Sequence, residues 1–402
     1  MEVAQDVSED LLYLMACAVN DVSPDPERVL RMDLNAVLGL AKFHSVAAMA
    51  GLALRKLAPL SPKWEGVVAS SEYRYALMGA ERGRVITSLA HEGVRCACLK
   101  GIILAEHYPS PVMREMCDND ILYEYTPENA RTVRHVMEGM GYQTKSYDQA
   151  NTDEYMKRPI FNFEMHAALE SGETAFRRQG DRVFDGVWER VIPLASEPGA
   201  YALDPTDFYL YFVSHAYKHF RTGSIGVRVL ADARIVQGAY EGRLDDRRLN
   251  DGLAALGAVD FAANLDELAM GLLGDPTRTA AYLHNLTPKQ GETLSVMLGS
   301  GTYGTQSTVI HRRLEKVESE PGQAGNVRRR YLMQRVFPST ELMKSFFPAC
   351  RRYPVLLPYF YVYRIILGVA TKRTSIKSEL GILDSELASS EKSSQAARNQ
   401  GD

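Results

Sequence analysis

The chain has 402 residues, a length that fits two or three domains, and its 46% hydrophobic and 24% charged content is that of a folded globular protein rather than a disordered or fibrous one. A net charge of −4 excludes a general attraction to nucleic acid or to anionic membrane, while leaving room for a local basic patch. The five cysteines, Cys17, Cys96, Cys98, Cys117 and Cys350, form no CxxC pair. Four of them lie in apolar surroundings, so buried, reduced thiols in a cytoplasmic protein are expected.

The acidic start, Met1 to Asp6, lacks the basic and apolar segments of a signal peptide. From about Ser8 to Leu60 apolar residues recur at three- and four-residue spacing, as in Leu11, Leu12, Leu14 and Met15 and again in Val37, Leu38, Leu40 and Ala41, which predicts helices punctuated by prolines. A long amphipathic helix is predicted over Glu72 to Glu92, ended by Gly93. Val94 to Leu99 reads as a short buried strand, Ile102 to Tyr108 as a helix stopped by Pro109 and Pro111, and Asp118 to Tyr125 as a second strand. Thr126-Pro127 caps a helix running to about Met140, and Tyr142 to Tyr147 can form another strand. Ile160 to His166 alternates, with Phe161, Phe163 and Met165 on one face and Asn162, Glu164 and His166 on the other.

After Asp204-Pro205-Thr206-Asp207 the pattern is helical nearly to the end, with clear amphipathic helices at Phe208 to Phe220 and Val227 to Tyr240. Gly299 to Gly304 is a glycine-rich loop without the strand–helix context of a phosphate cradle, and is read as structural. Residues 311 to 330 are charged and expected to be exposed, and Arg328-Arg329-Arg330 with Arg335 and Lys344 form a basic patch. Tyr353 to Ala370 is apolar, but Arg364, Pro354 and Pro358 break it, so a buried helix is expected, with interfacial membrane contact as the alternative and no stable membrane insertion. The expected divisions are therefore a helical region at 1–78, a mixed strand–helix core at 79–195, a helical domain at 196–374, and a polar tail at 375–402 without fixed structure.

The chemistry centres on Asp118 and Asp120. Residues i and i+2 of a strand share a face, so the two carboxylates project together, and they repel each other unless a proton or a cation lies between them. A hard divalent ion is the natural occupant, and magnesium combines one or two carboxylates with substrate phosphates. If the Asn162/Glu164/His166 face lies beside this strand, Glu164 becomes a third metal ligand and a candidate proton acceptor, with His166 and Asn162 as orienting donors. Lys100-Gly101 at a helix start offers a cation and backbone N–H groups to phosphate, and Arg114 is a second phosphate contact. An Asp-x-Asp at a strand end also arises from turn hydrogen bonding alone.

His215, Lys218 and His219 are spaced to share one helical face and could bind triphosphate or acceptor, or simply pack as a polar face. No Glu follows His215, so the zinc-binding HExxH pattern is missing. Asp232 could pair with Arg228 or Arg234, or serve the site.

Leu99-Lys100-Gly101, the helix ending in Tyr108-Pro109, Arg114, and Asp118-Asn119-Asp120-Ile121-Leu122 resemble the uncharacterised nucleotidyltransferase family of the polymerase-beta-like superfamily. The resemblance continues through Glu164-Met165-His166, His215 to His219, Leu230-Ala231-Asp232 and the Tyr353-Pro354 end, covering about 35 to 370. It implies an α+β fold: a small mixed β-sheet nucleotidyltransferase core with helices, between amino- and carboxy-terminal all-helical regions. It further implies Asp118 and Asp120 as metal-bound carboxylates, with Glu164 as a third. Two departures stand out. Asn119 occupies a place usually aliphatic, which weakens strand burial there, and Lys100-Gly101 replaces the superfamily's Gly-Ser turn.

The expected function is magnesium- or manganese-dependent transfer of a nucleoside monophosphate from an NTP such as ATP to an acceptor, which could be a small molecule, a protein or RNA. Asp118, Asp120 and Glu164 would be catalytic, and Lys100, Gly101, Arg114, His166 and Lys218 would address the nucleotide. The alternatives are a non-catalytic interaction scaffold with a degenerate transferase core, and an RNA-directed, tRNA-modifying or toxin-like transferase.

Overall fold

Leu11, Leu12, Leu14 and Met15 are fully buried along the first helix, α1 (Gln5–Val19), as their spacing requires. The structure is a computed structural model that describes residues 5–147, 151–169, 183–195 and 199–302, and, further on, 310, 314, 327–340, 343, 347, 349–371 and 379–384. Residue contacts divide the chain into two units, 1–218 with 226–302 and 219–225 with 303–402. The boundaries expected at 78 and 195 fall inside the first unit.

In that unit α2 (Pro26–Arg31) and α3 (Leu34–Phe43) begin at Asp25 and Asp33, whose carboxylates accept N–H groups of the first turn. α4 (Ala47–Arg55) is almost entirely buried, and α5 (Pro62–His91) extends ten residues upstream of its expected start, opening on Pro62 and ending before Gly93 at φ +76°. β1 (Cys96–Cys98) follows, then α6 (Gly101–His107), β2 (Asn119–Tyr123) and α7 (Pro127–Gly139), which Thr126 caps by accepting the Asn129 N–H. β3 (Gln143–Ser146), β4 (Thr152–Lys157) and β5 (Phe161–His166) complete one side of the sheet. The short α8 (Val187–Arg190) leads into β6 (Ile192–Pro193) and β7 (Ala200–Ala202). Helices α9 (Pro205–Thr222), α10 (Arg228–Tyr240), α11 (Asp246–Leu256), α12 (Val259–Leu273), α13 (Thr279–Leu283) and α14 (Pro288–Ser300) come next.

The seven strands lie in the order β3-β4-β5-β2-β1-β7-β6. β2 pairs parallel with β5 and antiparallel with β1, and β1 pairs parallel with β7, so the sheet is mixed as the α+β reading requires. The expected strand 94–99 is longer than the paired β1. Its ends still extend the ladder, Leu99 N–H donating to the Asp120 carbonyl and Glu124 N–H to the Arg95 carbonyl, both at 3.0 Å. β4 was not expected. Its alternation is legible only once the fold is known: Asp153 and Tyr155 are buried, while Glu154 and Met156 are exposed. Asn119 corrects the expectation of weakened burial, since it is 3% exposed.

One sheet face carries Asn119, Ile121, Phe163, Met165 and Tyr155, all buried. Tyr142 packs its ring edge-on against Phe163, and α5 contacts α7 and β1. On the helical side, α1 lies against α3, α4 and α12, and α10 against α12. Asp207, fully buried at the start of α9, is held by Arg190 at 2.7 Å and Arg248 at 2.6 Å, joining α8 and α11 to it.

In the second unit α15 (Val327–Val336), α16 (Ala349–Arg352), α17 (Leu357–Thr371) and helical residues 379–384 are described. Ile310, Leu314, Tyr331 and Leu383 form its core. Three expectations are corrected here. Leu314 is buried within the segment expected to be exposed, and Leu383 is buried in the tail expected to be without structure. α17 is not buried: Tyr359 and Ile366 are each 63% exposed. Arg328 pairs with Asp384 at 2.8 Å and Arg335 with Glu379 at 2.7 Å, so part of the basic patch is neutralised. Lys344, most of the 303–326 stretch, including the end of the glycine-rich loop, and residues 385–402 lie outside the described residues. No described helix is long and apolar enough to cross a membrane.

Candidate active site

The parallel pairing of β2 with β5 sets Asp120 opposite Glu164 and Leu122 opposite His166. Paired residues of adjacent strands share a face, so the two carboxylates and the imidazole stand together; the alternation of Ile160 to His166 predicts the Glu164 and His166 half of this. β4 extends this face, placing Thr152 opposite His166 and Glu154 opposite Glu164. His166 Nε2 lies 2.8 Å from Asp120 Oδ1 and 3.8 Å from Glu164 Oε2, and His166 Nδ1 lies 3.1 Å from Thr152 Oγ1. An ionised carboxylate only accepts, so Nε2–H donates to Asp120 and the Thr152 hydroxyl serves Nδ1. A hydroxyl both donates and accepts, so Thr152 supports either tautomer of the ring, including the one that leaves Nε2 free as a ligand.

Lys100 comes from the other side, in the turn between β1 and α6, with φ +41° in the left-handed region that a lysine rarely adopts. Its Nζ lies 3.1 Å from the same Asp120 Oδ1 that His166 meets. The ring of Tyr211, buried on α9, faces this ammonium at 5.6 Å, and Tyr211 in turn stacks at a tilt on His215 one turn along. Burial by itself raises the Asp120 pKa, but Lys100 and the His166 hydrogen bond outweigh it and hold the carboxyl well below the usual range. Glu164 is held less closely, with His166 Nε2 3.8 Å away. Burial, with the charges of Asp120 and Asp118 added, pushes it up to about 7. Asp118, half-buried just before β2, is raised by burial and by Asp120. For Lys100, burial alone lowers the pKa, yet the Asp120 charge prevails and raises it, so the ammonium stays charged.

Arg114 is engaged by a carboxylate of its own. Its guanidinium donates to both oxygens of Asp232 on α10, Nε at 2.8 Å and Nη2 at 3.1 Å, and the Tyr108 hydroxyl donates to the same carboxylate at 2.7 Å. All three are buried. Asp232 is therefore the partner of Arg114 rather than of Arg228 or Arg234; Arg228 donates to the Glu115 carbonyl instead. Gly101 lies directly against this group, and a Cβ there would stand 2.6 Å from Arg114 Nη1.

A family model described as uncharacterised nucleotidyltransferase matches residues 31–274, more than half of the chain. The chain belongs to that family. No curated protein and no solved structure matches it. Membership makes a general nucleotidyl-transfer role the family-level assignment, and the mixed sheet with surrounding helices is the α+β architecture that goes with it.

Of the residues singled out in the sequence, this family core brings together Asp120, Glu164, His166 and Lys100. Asp118 joins them through its charge. Gly101 and Arg114 form the turn's support behind them, and Lys218 is exposed on α9, beyond Tyr211 and His215. Sequence reasoning missed Thr152 and Tyr211. Thr152 opens a strand whose charged residues hide its alternation, and Tyr211 reads as one more apolar position of an amphipathic helix.

The donor set fits a divalent ion. One ligand atom each from Asp120, Glu164 and His166 can lie within 4.8 Å of the others, a compact set of two oxygens and one nitrogen. Asp120 and Glu164 belong to the ligand set expected from sequence, and His166 adds a nitrogen donor to them.

Proposed function

We propose that the protein transfers a nucleoside monophosphate from a nucleoside triphosphate to an acceptor hydroxyl or phosphate, with release of pyrophosphate. The observation that carries the reading is the Asp120–Glu164–His166 group at matched register on β2 and β5, inside the matched family region. The acceptor oxygen attacks the α-phosphorus, the bond to the bridging oxygen breaks, and pyrophosphate leaves. The acceptor's proton passes to a Glu164 carboxylate oxygen. Asp120, Glu164 and His166, with Asp118 alongside, would hold magnesium or manganese, which supplies charge neutralisation at the triphosphate. Lys100 and the Gly101 backbone address phosphate oxygens, and Arg114 and Asp232 hold that turn in place. Lys218, on the same helix as Tyr211 and His215, is the outer cation for the triphosphate. Five free cysteines, four of them buried, support action in the reducing cytoplasm.

The test is incubation of the protein with each α-labelled NTP, with magnesium or manganese, in the presence of cell lysate. Label on RNA, on protein or on a small molecule names the acceptor class, and Asp120→Asn must abolish it. No labelling, together with no metal-dependent rise in melting temperature on NTP addition, overturns the reading in favour of an interaction scaffold.

A further inference from the structure

We propose that Lys100 is the built-in counter-cation of Asp120, an ammonium that competes with a divalent ion for this carboxylate and is released to the nucleotide's phosphates when the ion binds. The inference rests on the metal-dependent reading above and adds a coupling between ion and nucleotide.

Three observations carry it. Lys100 Nζ and His166 Nε2 converge on one oxygen, Asp120 Oδ1, and this oxygen belongs to the compact donor set. A hard cation seeks a bare carboxylate oxygen, so ion and ammonium contend for the same atom. Second, the turn holds Lys100 at φ +41°, where glycine fits without strain and a residue with a Cβ rarely sits. A backbone kept in a sparsely populated conformation over a reactive group points to function at that residue. Third, the ammonium has a second place to rest, since the buried Tyr211 ring faces it at 5.6 Å. Displacement from Asp120 therefore does not strand the charge in an apolar site.

Lysine suits this role because its ammonium is a compact point charge on a flexible stem, able to move from a carboxylate to a phosphate. The consequence is cooperativity. Without nucleotide the ion binds against the ammonium. With nucleotide present, phosphate oxygens take up the ammonium and the ion meets an unopposed Asp120. Because coupling is reciprocal, the ion strengthens nucleotide binding by the same factor.

The experiment is calorimetric titration of manganese into the full-length wild type, Lys100→Met, Lys100→Arg and Lys100→Gly, with and without a non-hydrolysable NTP. Removing the competing charge is expected to tighten manganese binding in the absence of nucleotide by about tenfold in Lys100→Met. Lys100→Arg keeps the wild-type affinity, and the strengthening by nucleotide shrinks in Lys100→Met. Lys100→Gly, which suits the positive φ, must match Lys100→Met, and it carries the test if the methionine variant fails to fold. Unchanged or weaker manganese binding in the uncharged variants overturns the proposal while leaving metal-dependent transfer intact. A wild type that binds no manganese with or without nucleotide overturns both.

Discussion

Gly101 runs so close to Arg114 that a Cβ on it would stand 2.6 Å from the guanidinium Nη1. Arg114 cannot move aside, because Asp232 holds it at 2.8 and 3.1 Å in a buried pocket. Gly101→Ala is therefore expected to cost about 1–3 kcal/mol, the usual range for overpacking a filled interior. Urea unfolding checks it, and a wild-type midpoint would refute the close approach.

The Arg114–Asp232 pair makes its own prediction. Asp232→Ala leaves a buried guanidinium without its partner, a loss of about 3–5 kcal/mol. Asp232→Ala combined with Arg114→Met removes the stranded charge as well and should recover a measurable part. A double variant no more stable than the single one would show that the charge is not what matters.

Asp120→Asn and Asp118→Asn should each lower NTP turnover by about 100-fold or more, since each removes a negative charge that would hold the cation neutralising the triphosphate. They should differ in structure. Asp120 anchors both Lys100 and His166, whereas Asp118 joins only through its field, so the first variant alone should disturb the histidine NMR signals. Full turnover in both variants would remove these carboxylates from the chemistry.

Glu164 sets a pH dependence. Its folded pKa of about 7 lies above the ordinary 4.5, so the protonated form contributes stability that is complete below pH 4.5 and is lost as pH rises through 7. Metal-free protein should lose melting temperature across that window, and manganese, which binds the ionised carboxylate, should restore it. Glu164→Gln should abolish this slope. Calorimetry in buffers of different ionisation enthalpy should register a released proton below pH 7 in the wild type alone.

His44 gives the opposite sign. It is fully buried between α3 and α4, and burial lowers its pKa from 6.5 to about 4. The neutral ring's contribution is present above pH 6.5 and lost as pH falls toward 4, amounting to about 3 kcal/mol. Acid unfolding of His44→Gln should show a shallower decline over pH 4 to 6.5. Parallel curves would exclude this histidine as the source.

Much of the site was legible along the chain because strand periodicity is local. Glu164 and His166 share a side of β5 by alternation alone, and the same alternation in the expected strand 118–125 pairs Asp118 with Asp120, although β2 begins only at Asn119. That these two sides coincide was written nowhere locally; it follows from the parallel β2–β5 pairing, set by burial of Ile121, Phe163 and Met165 on the far face. Asn119 between the aspartates hinted at poor burial because side-chain polarity was the only guide, yet the sheet buries it.

Arg114 and Lys100 divide the two kinds of knowledge most clearly. Sequence alone identified both as cations near a carboxylate pair, and family-like motifs placed them in a transferase core. Only the tertiary structure decided their partners. α10 brings Asp232 under Arg114 from 118 residues away, and the strained β1–α6 turn aims Lys100 at Asp120. A charge's chemistry is a property of its residue type, but its partner depends on which distant segment burial brings within hydrogen-bond reach.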